Sequence, residues 1–463
     1  MVLVLLAILC IGLVLIATEA FNRMNKAAVA MFAGVCCWML FIIEGRDFVS
    51  AGHLSDFGAF AAGTGTDGTA AVKEFISTHL FAGYAARAAD IVLYLLATTT
   101  IVEVLNNNGC FDFVTEWLRT RHPAKLLWLV ALVTAVLSAN LDNLATAVLM
   151  LGIVHPLLGS DKARKLYGAV IVLAANCGGA VTVIGDITSL KLWTEGLVTP
   201  TQYFLLLAPP ALTALVVSLA LIQRDLPRRI YKETLIPPYR GDDTLLTRPQ
   251  RLAMLFVGVG GLWFVPTFHR LTLMPPFVGA MCVLGLLWIV NEVCNRQLLS
   301  SDTMVRRRLP MALQYANVQN ILFFIGVALM FGAVCETGAL APLARAAATC
   351  AEGAGLYVLN AAAALASAVF GNVPALVGGV CLFHQAGDTL PAALRAGGDF
   401  WPLLSYATAV GGSLLSTGTV AGYLLMRMED VSFGWYLRHI TPKVAAGYLS
   451  GLAVLWLVSL GLN

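Results

Sequence analysis

Residues 125–157 read KLLWLVALVTAVLSANLDNLATAVLMLGIVHPL, an apolar run interrupted near its middle by Asn140, Asp142 and Asn143. A spanning helix needs about 20 mostly apolar residues. The run is too long for one crossing and too short for two. It is therefore predicted to enter a bilayer, turn at its polar centre and return to the same side. Irregular backbone at that depth is tolerated only where protein or a water-filled cavity surrounds it.

Composition places the whole chain in the same solvent. Of 463 residues, 12% are charged and 59% hydrophobic, with mean hydropathy +0.81. Soluble domains carry about 25% charge and roughly 45–50% apolar residues, so a water-soluble enzyme, a nucleic-acid binder and a disordered protein are poor fits. A net charge of +3 is too small to point to a polyanion partner. The ten cysteines show no C-x-x-C spacing, which indicates reduced, buried thiols rather than zinc or a disulfide framework. Val2–Ala17 is apolar but lacks a basic n-region, and Glu19, Arg23 and Lys26 follow it. A retained first span is expected rather than a cleaved signal.

Further spans are predicted near residues 2–17, 26–43, 86–105, 166–196, 203–223, 251–268, 275–293, 316–335, 338–387, 400–428 and 441–461. Besides 338–387, the stretches 166–196 and 400–428 exceed one crossing. Each holds a Gly-Gly pair and a later glycine: Gly178, Gly179 and Gly185 in one, Gly411, Gly412 and Gly418 in the other. Helices broken at those glycines account for the length. Lys and Arg gather at 23–26, 119–125, 162–165, 224–251, 296–308 and 427–443, whereas 44–85 is acidic by comparison. The positive-inside rule puts the N-terminus outside, 224–250 in the cytoplasm and the C-terminus outside.

The chain also resembles itself. Ser138-Ala139-x-x-x-Asn143 matches Ser367-Ala368-x-x-x-Asn372, Gly178-Gly179 matches Gly411-Gly412, Gly185 matches Gly418, and Asn108-Gly109 matches Thr337-Gly338. On the charge-derived topology the paired spans run in opposite directions. The predicted fold is an all-α polytopic membrane protein of two inverted-topology repeats, 1–223 and 251–463, joined by a cytoplasmic linker at 224–250, with re-entrant hairpins and broken helices. That is the signature of a secondary transporter, whose site forms at the bilayer midplane where the halves meet. An enzyme does not require such symmetry.

Polar groups at membrane depth are costly and mark function. Asn140-Leu141-Asp142-Asn143 with Thr146 offers a carboxylate, amide and hydroxyl oxygens and unwound backbone, a set suited to a hard cation. An Asx turn capping a buried helix is the plain structural alternative. The second cluster, Asn176–Trp193, adds Thr182, Gly185, Asp186, Thr188 and Ser189; there Asp186 could instead stabilise a helix N-terminus near the surface. In the other half Asn372, Ser413, Thr417 and Thr419 supply neutral donors and acceptors. Burial favours the neutral form of a carboxyl and a bound cation its charged form. A proton and a sodium ion would then compete for Asp142 and Asp186, which is sufficient for exchange. Glu103, Glu336 and Asp90 read as helix ends. The seven histidines show no H-E-x-x-H spacing, no G-x-S-x-G elbow is present, and the letters Gly63-x-Gly65-x-x-Gly68 follow no strand.

Five stretches resemble the NhaD-type sodium/proton antiporters of the wider ion-transporter superfamily: TTTIVEVLNNNGCFDF from Thr98, LDNLAT from Leu141, AANCGGAVTVIGDITSLKLW from Ala174, FFIGVALMFGAVCETGAL from Phe323, and GGSLLSTGTVAGYLLMRMED from Gly411, followed by FGWYLRHITP. The resemblance covers most of the chain from residue 86 onward. It implies a multi-pass transporter of the bacterial inner membrane, a homodimer working in an elevator-like manner, with no cofactor and with Na+ or Li+ and H+ as its transported ions. Its ion-site residues carry over to Asp142, Asn143, Thr146, Gly185, Asp186 and Thr188 and to Asn372, Ser413 and Thr417. Relatives often show Asp-Asn-Val-Pro where this chain has Gly371-Asn372-Val373-Pro374. The rival expectation is a sodium-coupled symporter of a small anion or carboxylate on the same architecture.

Overall fold

The computed structural model describes residues 1–64, 68–120, 122–227, 246–296, 318–351, 353–384 and 390–462. Most of the predicted linker 224–250, much of the basic cluster 296–308 and the middle of the Gly63–Gly68 letters lie outside the described residues. Among the described residues the regular elements are helices and none is a strand.

Among the described residues six helices are long and apolar enough to cross a membrane, and a seventh follows if the pair Arg248–Trp263 and Val265–Thr272, bent by 46°, counts as one. The first long ones are α2 (Lys26–Glu44) and α3 (Ala82–Asn107), with the shorter α1 (Val2–Ala17) before them. The predicted run 125–157 folds as two pieces, α4 (Pro123–Ser138) and α5 (Asn143–Val154). At 1.5 Å per residue these reach about 24 and 18 Å, short of the roughly 30 Å hydrocarbon core. The predicted 166–196 span is α6 (Asp161–Gly179) and α7 (Ile187–Thr194) with unwound backbone between, and α8 (Pro200–Ile222) ends the first half. The second half repeats the order. Long helices α9 (Pro276–Cys294) and α10 (Val318–Glu336) come first. The half-length pair α11 (Gly355–Phe370) and α12 (Asn372–His384) follows. The broken α13 (Phe400–Ala409) and α14 (Val420–Met428) and the long α15 (Thr441–Leu462) close it.

Local chemistry sets these boundaries. Pro123, Pro200 and Pro276 sit in the first turns of α4, α8 and α9, where a missing N–H costs no helical bond. Beyond α3, Gly109 adopts φ +67° and its N–H donates to the Asn106 carbonyl. Beyond α10, Gly338 adopts φ +64° and donates to Cys335. These are the same turn 229 residues apart, as the Asn-Gly and Thr-Gly dipeptides predict.

Packing crosses between the halves reciprocally: α2 lies along α10, and α9 lies along α3. The first contact is made by small residues. A Cβ on Gly34 would stand 2.8 Å from the Gly326 carbonyl oxygen, and one on Gly326 would stand 2.4 Å from the Met31 nitrogen. Without a hydrophobic gain between helices in lipid, such close approach is what holds them. At the end of the α3/α9 pair the Asn108 amide donates to Asn291 at 2.8 Å, and Asn295 donates back to Asn108 at 3.1 Å. All ten cysteines are free.

Candidate functional site

The two interruptions of the first half lock into each other. Ser138, the last residue of α4, donates its hydroxyl to the Ala175 carbonyl on α6 at 2.6 Å, and Thr182 in the α6–α7 break donates to the Ala139 carbonyl at 2.6 Å. The backbones approach so closely that a Cβ on Gly178 would lie 2.3 Å from the Ala135 oxygen, and one on Gly185 2.7 Å from the Ser138 oxygen. Glycine is required there by contact, and the broken helix is the consequence.

The second half makes the same joint. Ser367 donates to the Thr408 carbonyl at 2.7 Å, and a Cβ on Gly411 would meet the Ala364 Cβ at 2.6 Å. Each of these contacts is its first-half counterpart displaced by 229 residues on the hairpin and 233 on the broken helix. The tip is drawn in by a backbone bond, the Asn372 N–H donating to the Gly418 carbonyl at 3.0 Å.

The N-termini of four short helices therefore converge, those of α5, α7, α12 and α14. Two carry acids. Asp142 is 4% exposed and caps α5, its Oδ2 accepting from the N–H groups of Leu144 (3.1 Å) and Ala145 (3.3 Å). The helix-capping alternative is thus realised, but it occupies one oxygen. Asp142 Oδ1 has no hydrogen-bond partner among the described residues. Asp186, 3% exposed, precedes α7 and accepts the Thr188 hydroxyl at 2.9 Å on Oδ2, and its Oδ1 likewise lacks a partner among the described residues. Asp186 does stand at a helix N-terminus, as the alternative has it, but it is buried within the protein rather than exposed. The two carboxyls are close enough to act on each other electrostatically, and the Asn372 amide stands against Asp186.

A chain of amides ties the halves together across this point. Asn143 donates to the Asn176 carbonyl oxygen at 3.2 Å, and the Asn176 amide donates to the Ser413 hydroxyl at 2.8 Å and the Thr419 hydroxyl at 3.2 Å. Thr419 also caps α14 by accepting from the Gly422 N–H at 3.1 Å. The Thr146 hydroxyl is buried one turn into α5 with no partner among the described residues. Gly185 supplies the close packing described above. Thr417 is placed differently: half-buried, it lines a cavity with Glu19 and Lys26.

Asn176 has no role in the sequence-based expectations, yet it links the two halves of the chain. An amide inside an otherwise apolar helix was the available signal. Tyr94 of α3, with its hydroxyl unpartnered among the described residues and Asp142 within electrostatic range, is a second omission. Two histidines have carboxylate companions that spacing could not reveal: His53 with Glu336 at 2.8 Å and His155 with Glu429 at 2.7 Å. Glu336 further accepts from Tyr84 at 2.8 Å. Among the described residues no three His, Cys, Asp or Glu side chains form a metal cluster. A cation at the convergence point would be held by two carboxyls and neutral oxygens.

Residues 13–393 match the family model described as citrate transporter, CitMHS. The chain is 34% identical over 368 residues to sodium/proton antiporter 2 of Arabidopsis thaliana, covering 79% of this chain and 84% of that protein. It is 33% identical over 373 residues to sodium/proton antiporter 1 of the same plant, covering 80% of this chain but only 62% of that longer protein. To the Na(+)/H(+) antiporter NhaD of Alkalimonas amylolytica it is 27% identical over 398 residues, covering 80% and 77%.

Proposed function

This chain belongs to the citrate transporter family, CitMHS, and on that premise we propose that it exchanges Na+, or Li+, for H+ across a membrane. The observation that carries the reading is the pair Asp142 and Asp186. Both are buried at the starts of half-length helices, and each has one oxygen engaged by its own helix and one without a protein partner among the described residues. A carboxyl so placed has one stable neutral form, protonated, and one stable charged form, with a cation beside it. A site that crosses loaded with either ion and poorly when empty performs exchange.

In this reading Asp142 and Asp186 carry H+ and the metal ion alternately. Asn143, Thr146, Thr188, Asn372 and Ser413 serve as neutral ligands, Thr417 lines the adjoining cavity instead, and Gly185 keeps the break open. The matched contacts at offsets of 229 and 233 support two repeats, residues 1–223 and 251–463, and the reciprocal crossing of α2 on α10 and α9 on α3 supports their inverted relation. Interlocked half-helices favour a block that moves as a unit, the elevator mode. The bacterial relatives favour a bacterial inner membrane, and a homodimer follows from the family resemblance alone.

A second reading has its own observation. Helix N-termini favour anions, and those of α12 and α14 carry no acid, so a sodium-coupled symporter of a small carboxylate would find a place there. The charged group acting on Asp142 is another carboxyl, which weighs against an anionic substrate. Counterflow in proteoliposomes with Na+, Li+, K+ and citrate separates the two. Proton-coupled Na+ or Li+ exchange without citrate uptake is the expected result. Citrate accumulation driven by sodium would replace antiport with symport.

A further inference from the structure

Lys26 is the first residue of α2, where the helix dipole disfavours a cation, and it is buried, 8% exposed. Its stabilisers are few: Glu19 at 3.9 Å, itself 5% exposed, and the faces of Phe323 at 5.0 Å and Tyr423 at 5.6 Å. A charge kept inside a membrane protein at an unfavourable helix end calls for a role. Its surroundings indicate which. Glu19 and Lys26 line a half-enclosed cavity whose inner wall is Asn372, Thr417 and Thr419. Asn372 stands against Asp186, and Thr419 accepts from Asn176. The cavity thus shares Asn372 with the surroundings of Asp186 and also reaches Ala20 and Lys26, which flank the turn bearing the exposed Arg23.

We propose that this cavity is the passage by which a metal cation reaches Asp142 and Asp186 from the face that carries Arg23, with Glu19 and Lys26 as its electrostatic gate. Glu19 attracts the arriving ion. Lys26, a tethered cation already beside that carboxylate, must be displaced from it, so the passage admits a cation without standing open to the pool of ions. The two residues sit on the α1–α2 corner rather than on the half-helices that hold the site, so the gate and the carriers belong to different pieces of the fold. The inference rests on the exchange reading.

Its test reads access rather than transport. Thr417→Cys is exposed in sealed vesicles of either orientation to membrane-impermeant methanethiosulfonates, one cationic and one anionic, and modification at position 417 is read by peptide mass spectrometry so that the ten native cysteines do not confound it. The passage requires modification from the Arg23 face. The gate requires Lys26→Gln to raise the cationic-to-anionic rate ratio about threefold or more and Glu19→Gln to lower it similarly, as loss of a nearby charge in a confined mouth should. Because breaking one partner of a buried pair can prevent folding, Glu19→Gln/Lys26→Gln, which removes both charges, supplies a ratio lying between the single variants or, if these are lost, a ratio independent of ionic strength. Modification from neither face, or a ratio that no variant moves, overturns the proposal. If the charge preference holds while Asp142 variants still exchange, the passage stands and the carrier assignment falls.

Discussion

Substituting Asp142 by Asn separates the carrier role from the structural one. The structural role is small and transferable. Oδ2 caps α5 by accepting two backbone N–H groups, and Asn caps helices about as well as Asp, whereas Ala at such a position costs about 1 kcal/mol. Asp142→Asn should therefore leave abundance and thermal unfolding in detergent close to wild type. It also removes the repulsion from Asp186, which acts in the stabilising direction. Asp142→Ala, losing the cap as well, should unfold at a measurably lower temperature.

The functional cost is of another order. A unit charge about 4 Å from a cation is worth roughly 4 kcal/mol at an effective dielectric of about 20, near a thousandfold in affinity. With the carboxylate gone, the positive end of α5 also faces the site uncompensated, and the Asn amide neither gains nor loses a proton at working pH. Sodium-dependent dequenching of a pH-sensitive dye in everted vesicles should be abolished. Unchanged exchange in Asp142→Asn at equal abundance would remove Asp142 from the mechanism and with it the argument from buried acids.

The remaining predictions concern the joint that builds the site. Gly178→Ala and Gly411→Ala place a Cβ 2.3 Å from the Ala135 oxygen and 2.6 Å from the Ala364 Cβ, so each should destabilise by about 1–3 kcal/mol. A Gly178→Ala protein that melts like wild type would refute the close contact. Asn176→Ala orphans buried groups on both halves at about 1–3 kcal/mol each; its effect on apparent sodium affinity should be non-additive with Ser413→Ala by roughly 0.5–3 kcal/mol, and simple additivity would mean that the amide chain does not couple the halves. Gly371→Ala has room, its nearest foreign atom being Pro374 Cδ at 3.5 Å, but φ is +103°. It should lose about 1–2 kcal/mol, while Gly152→Ala, in open space on α5, should lose nothing. Equal melting of the two would show that backbone conformation does not decide residue 371.

The breaks were legible because they violate length rules: 125–157, 166–196 and 400–428 fit neither one crossing nor two, and glycine pairs mark where backbones touch. The matched contacts were legible because they use the same small residues, Ser138 and Ser367, Gly178 and Gly411. Pairings that depend on folding were not. His155 meets Glu429 across 274 positions, and nothing local to either announces it. Asn176 escaped because its partners, Ser413 and Thr419, lie on the other half. Thr417 and Thr419 look equivalent in sequence, yet the turn before α14 aims Thr419 at Asn176 and leaves Thr417 on the cavity beside Lys26. The predicted span 338–387 was too generous for the same reason: composition shows what tolerates lipid, whereas the break between Phe370 and Asn372 depends on the backbone at Gly371.

The kinds of contact in the molecule bear on which pieces could move. Within the half-helices the bonds are directional and buried: Ser138 to Ala175, Ser367 to Thr408, Asn176 to Ser413 and Thr419, and the Asn372 N–H to Gly418. Separating any of these would orphan a polar group in a dry interior. The long helices α8 and α15 are bonded to this half-helix group as well, through Tyr203 to Ser405 at 2.6 Å and the Tyr406 hydroxyl to the Tyr448 carbonyl at 2.9 Å. Between the group and α2, α10 and the helix Val265–Thr272, by contrast, the contacts include rings and a thiol: Trp193 against His269 at 5.1 Å, Lys26 over Tyr423, and the Cys335 thiol on the Cys381 carbonyl at 3.3 Å. Contacts of that sort can be exchanged for others of equal worth as surfaces slide. If Asp142 and Asp186 must visit both faces, the inexpensive motion carries the interlocked α4–α7 and α11–α14, with α8 and α15 bonded to them and both acids aboard, while Lys26 on α2 stays behind.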